Sequence, residues 1–82
     1  MKAVVTLVNE DKGLVSIQTD LGFCILKLQS DYDIDPGDIL EGGFGQPGLE
    51  TVKNISQIED IHVEILEVGL TPFTVERRIK QA

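Results

Sequence analysis

Ile34-Asp35-Pro36-Gly37-Asp38-Ile39-Leu40-Glu41, followed by Gly42-Gly43, reads as a forced turn that feeds a β-strand. Pro36 fixes one backbone angle, Gly37 admits conformations closed to other residues, and the short carboxylate of Asp38 suits bonding to nearby amides. Ile39 and Leu40 then open a new strand. Upstream of this turn lie three apolar runs. Ala3 to Val8 is β-rich, and Asn9-Glu10-Asp11-Lys12-Gly13 ends it with a polar turn whose Gly supplies a positive backbone angle. Leu14 to Thr19 sets Val15 and Ile17 on one face and Ser16 and Gln18 on the other, the period of two of a half-buried strand. Asp20-Leu21-Gly22 turns the chain into Phe23-Cys24-Ile25-Leu26-Lys27-Leu28, apolar on both faces apart from Lys27. A strand of that kind is either central or covered from both sides.

Downstream, Gln29 to Asp33 forms a short polar crossover with the composition of a single helical turn. The fourth strand is expected over Asp38 to Phe44. Gly42, Gly43, Gly45 and Gly48, with Pro47 among them, then mark a bulge or loop at a barrel corner. Glu50 to Ile55 is extended in character. Ile61 to Ile65 alternates, which places His62 and Glu64 on the exposed face. Near the C-terminus Thr71-Pro72 suits the opening of a short helix, with Arg77, Arg78 and Lys80 suited to its C-terminal dipole. Phe73, Val75 and Ile79 nevertheless alternate with Thr74, Glu76, Arg78 and Lys80, so a strand is the expected element over residues 71–81. These elements predict one domain over residues 1–82: an all-β, five- or six-stranded OB-like antiparallel barrel, its core within 3–66.

A chain of 82 residues buries about 60% of the surface it exposes when unfolded. Its aromatic residues are Phe23, Tyr32, Phe44 and Phe73, so the core must be mainly aliphatic. The single cysteine, Cys24, cannot form an internal disulfide, and within an apolar run it reads as core filling in a cytoplasmic protein. Ala3 to Val8 is too short for a signal-peptide core, and no run has the length of a membrane span.

Fourteen Asp and Glu against seven Lys and Arg leave a net charge of -7, which repels polyanions at long range. From Leu28 to Val52 the chain carries Asp31, Asp33, Asp35, Asp38, Glu41 and Glu50 with no base between them.

The meander over residues 3–28, the polar crossover and the Pro-Gly-Asp entry to strand four resemble an OB-fold or a related small barrel. In layout the chain is similar to hydrogenase-maturation chaperones of the HypC type. Those proteins use a cysteine directly after the initiator Met to bind their partner and metal group; here that place holds Lys2, so their function does not carry over. S1 and cold-shock RNA-binding barrels are similar too, with Gly13 to Gln18 and Gly22 to Leu28 on the strands that present stacking aromatics in those families. That region offers only Phe23, and base stacking contributes roughly 1–3 kcal/mol per ring.

Candidate chemistry is thin. Asp31, Asp33 and Asp35 match the first, third and fifth positions of a calcium loop, but Pro36 stands where its glycine belongs and Gly42 where its bidentate glutamate belongs. His62 is the only histidine, and there is no nucleophile elbow or cysteine cluster. The glycine cluster at 42–48 lacks the Lys-Ser or Lys-Thr of a phosphate loop. No cofactor, metal site or enzymatic activity is expected. The expected function is a binding or adaptor module for a basic protein partner through Asp31, Asp33 and Asp35, joined by Phe44 if it is exposed as an anchor, although tucking into the barrel end is the commoner fate of a loop aromatic. Homo-oligomers through an exposed strand edge also fit, whereas a membrane role does not. The alternative is a nucleic-acid-binding barrel in which Lys12, Phe23, Lys27 and Lys53 converge on one face.

Overall fold

The computed structural model describes residues 1–81, which form β1 (Lys2–Asn9), β2 (Leu14–Thr19), β3 (Gly22–Leu28), β4 (Ile39–Glu41), β5 (Gly48–Asn54), β6 (Glu59–Leu70) and α1 (Pro72–Lys80). Two antiparallel meanders, β1-β2-β3 and β4-β5-β6, join through β1–β4 and β3–β6 to close a barrel in the order β1-β2-β3-β6-β5-β4. Period-two alternation drives the closure. Val5 sits opposite Ile17, Ile17 opposite Cys24 and Leu26 opposite Ile65, and all of these side chains point into the barrel with Val15, Leu40, Val52, Ile61 and Val63. A free Cys24 among them is buried, as a small core residue.

The apolar outer face of β3 is covered by α1. Ile25, 3% exposed, packs with Val75 and Ile79 of the helix, and Leu7, Leu14, Phe23 and Leu70 border the cluster. Residues 72–80 are therefore helical, not the expected strand. Val75 and Ile79 share a face under either period, but Phe73, which a strand would bury beside them, is 72% exposed. β3 is already flanked by β2 and β6, so a further segment can meet it only as a cover on its apolar outer face. Local chemistry supports the helix: Thr71 Oγ1 accepts from the Thr74 N–H at 3.3 Å, Pro72 opens the first turn, and Asn9 Nδ2 donates to the Ile79 carbonyl at 2.9 Å. Arg78 pairs with Glu67 across the joint. Among the described residues no helix is long and apolar enough to cross a membrane.

Three further expectations change in detail. Gln29 to Asp33 forms no helical turn; the segment is pinned to β6, with the Gln29 N–H donating to the His62 carbonyl and the His62 N–H to the Tyr32 hydroxyl, both at 3.0 Å. The fourth strand stops at Glu41. A Cβ on Gly42 would lie 2.5 Å from Val52 Cγ1, so the chain passes there only as glycine and then leaves the ladder. Phe44 swings inward and is 1% exposed, which corrects its expected role as an exposed partner anchor. Finally, ring closure gives every strand a neighbour on both flanks over part of its length, so an open edge is confined to part of a strand.

The β5–β6 turn carries a local conflict. Ile58 holds φ at 55° and is 85% exposed, although a β-branched side chain strains the left-handed region. Ile58→Asn is expected to raise stability by about 1 kcal/mol and the melting temperature by roughly 4–8 °C. Thermal denaturation followed by circular dichroism measures this; a drop would mean that the Ile58 side chain contributes more contact than its backbone costs.

Candidate functional site

The β1–β2 turn, the 29–38 loop and the C-terminal end of α1 meet at one end of the barrel. Their positions are set by a few buried anchors. Ile34 inserts into the main core, and the half-buried Tyr32 packs against it. Gly37, with φ at 95°, gives its N–H to the Val5 carbonyl at 2.8 Å. Asp38 Oδ2 accepts from the Asp35 N–H at 3.0 Å, Asn54 Nδ2 at 3.0 Å and Gln57 Nε2 at 3.2 Å. Burial works to raise the Asp38 pKa, but the bonds from Asn54, Asp35 and Gln57 outweigh it and hold this carboxyl below its ordinary range.

Two grooves result, sharing Val8, Asn9, Glu10 and Ile34. One, of about 530 Å³, runs between Leu7–Asp11, Asp35–Pro36 and Ile79–Lys80. The other, of about 270 Å³, adds Gly13, Leu28, Ser30, Asp31 and Tyr32. Their lining mixes apolar side chains, such as Leu7, Val8, Ile34 and Tyr32, with polar ones, among them Glu10, Asp11, Asp31 and Asp35. Among the described residues, the one cation lining either groove is Lys80, whose Nζ bonds Glu76 Oε1 at 2.9 Å.

Of the residues expected to meet a partner, Asp31 and Asp35 come to these grooves, and Asp33 is exposed on the same loop but lines neither groove. Phe44 is away in the core. Glu10 and Asp11 are additions; in the sequence they are simply the polar residues of a turn. Lys12, Phe23, Lys27 and Lys53 do not form a common face. Lys12 lies in the β1–β2 turn, and Phe23 borders the cluster under α1. Lys27 stands opposite Glu64, and Lys53 is flanked by Glu41 and Asp60, with β6 between the two lysine strands.

The remaining reactive groups are placed quietly. Burial pushes the Cys24 thiol up, against a weaker opposing bond from the Gly69 backbone, and its Sγ lies 3.8 Å from the Phe44 carbonyl. His62 Nδ1 shares a hydrogen with Thr51 Oγ1 at 2.9 Å on the exposed face of β5–β6. Among the described residues, no three His, Cys, Asp or Glu side chains are grouped to hold a metal ion.

Comparison with protein-family models, curated proteins and solved structures gives no match for this chain. The chemistry of the grooves is that of dispersed carboxylates among apolar side chains. Such an arrangement attracts a cationic chain that also carries apolar side chains.

Proposed function

We propose that this protein is a non-enzymatic binding module of the cytoplasm, an OB-like barrel that takes a basic segment of a protein partner on its acid-lined end. The observation that carries this reading is the meeting of Glu10, Asp11, Asp31 and Asp35 around Leu7, Val8, Ile34 and Tyr32, with Lys80 already engaged by Glu76. The net charge of -7 supports it by steering cationic partners at long range.

A pull-down from lysate of the native host, with and without nuclease, tests the reading. The immobilised protein is expected to retain basic proteins in both arms and to release them between about 0.1 M and about 1 M salt, as the screening length falls from ~10 Å to ~3 Å. Glu10→Gln, Asp31→Asn and Asp35→Asn combined are expected to weaken retention about tenfold, from three exposed pairs at roughly 0.5 kcal/mol each. Equal retention by the triple variant, or loss on nuclease treatment, would reject it.

A further inference from the structure

β1 has β2 beside it from Val4 to Asn9, but its other flank is covered only along the first half of the strand. β4 covers Lys2 to Val4, and the turn before it reaches one residue further. There the Val5 N–H donates to the Asp38 carbonyl at 2.9 Å and the Val5 carbonyl accepts from Gly37 at 2.8 Å. Pro36 has no N–H to extend this ladder, so the chain departs from β1. From Leu7 to Asn9 the strand has β2 on one flank and the larger groove on the other.

Register decides which groups face that groove. Because Val5 turns its N–H and C=O towards β4, its pairing with Ile17 is of the non-bonded kind. The bulge between Val5 and Leu7 inserts Thr6 on β1, while β2 runs regularly, so Val15 keeps the parity of Ile17. Val8, opposite Val15, therefore also directs its N–H and C=O away from β2. No backbone bond from the 29–38 loop reaches it among the described residues. Val8 itself is half-buried, which limits how well water can serve those two groups.

We propose that this open stretch of β1 takes the partner's basic segment as an added strand, its backbone bonded to the N–H and C=O of Val8; the inference rests on the docking function proposed above. The run from the half-buried Leu7 to the exposed Asp11 suits an extended segment of about four residues, roughly 13 Å long. One face of such a strand meets Leu7, Ile34 and Pro36, and Lys or Arg on alternate positions meet Glu10, Asp11 and Asp35. A second copy of this chain is the poorer occupant, since it brings another -7 to the same groove.

The probe is an acetylated, amidated Lys-Val-Lys-Val-Lys-Val peptide titrated into the 15N-labelled protein, beside a form N-methylated at every residue and a Glu-Val analogue. The Lys-Val peptide is expected to shift the Val8, Glu10 and Asp35 amides and to slow Val8 hydrogen exchange about tenfold at saturation. The N-methylated form is expected to bind about tenfold more weakly or worse, and the Glu-Val analogue not at all. Equal binding of the N-methylated form, or saturation with Val8 exchange unchanged, overturns the added strand and leaves charge-led docking standing. Absence of any saturable shift at millimolar Lys-Val peptide also overturns it. Unchanged retention by the triple variant in the pull-down would be the separate failure of the docking function.

Discussion

Phe44→Ala is expected to cost about 3–5 kcal/mol, a large part of the stability of a domain this small. Phe44 belongs to no strand, yet it is among the largest fully buried side chains and stops the barrel interior between β4 and β5. Its neighbours leave little scope for collapse. A Cβ on Gly42 would lie 3.5 Å from Phe44 Cζ, and Val52 closes the other side of that glycine. Removing the ring thus leaves a cavity lined by residues already held in the barrel ladder. Urea denaturation should show a lower midpoint with an unchanged slope, and Phe44→Leu should recover most of the loss. A loss below about 1 kcal/mol for alanine, accompanied by weaker partner retention, would return Phe44 to the surface role read from its glycine-rich surroundings.

The contrast between Phe44 and the first meander shows where sequence information ends. Val5, Val15, Ile17 and Leu26 point inward as their alternation requires, because strand period and turn chemistry are local properties. The doubled apolarity of β3 likewise marked it as either central or covered from both sides, and the structure covers its outer face. What supplies the cover was not legible, since Val75 and Ile79 at a spacing of four satisfy a strand and a helix alike. The flanking of β3 by β2 and β6 settles the matter, because it leaves a further segment only the outer face of that strand.

The groove divides in the same way. Asp31 and Asp35 were recognisable as exposed acids in a loop. Glu10 and Asp11 join them only because β1 and β4 pair and bring the first turn beside the 29–38 loop. Lys27 and Lys53 fail to converge for the converse reason: the order β3-β6-β5 inserts a strand carrying Glu64 and Asp60 between them. Both outcomes depend on strand order, which a period of two does not encode.

Asp38→Ala is expected to cost roughly 3 kcal/mol or more, through loss of hydrogen bonds to a charged acceptor at about 1.5–3 kcal/mol each. One oxygen, Oδ2, serves the Asp35 N–H, Asn54 Nδ2 and Gln57 Nε2. Asn54 is fully buried, so without Asp38 its amide loses this acceptor with no water to replace it. Asp38→Asn keeps the shape and one acceptor but removes the charge, and should cost less. The pH response separates charge from shape. Since the folded-state pKa of Asp38 lies below its unfolded value of about 3.9, its contribution is fully present above that value and disappears as pH falls through the folded pKa. The gap in melting temperature between the native protein and Asp38→Asn should therefore be widest near neutrality and shrink in strong acid. A constant gap across that range would show that the carboxylate's charge does not hold the turn. Because the Asp38–Asp35 bond also sets the lining of the larger groove, Asp38→Asn should weaken binding of the Lys-Val peptide at neutral pH even where the protein remains folded. That loss would tie the carboxylate that stabilises the turn to the surface on which docking depends.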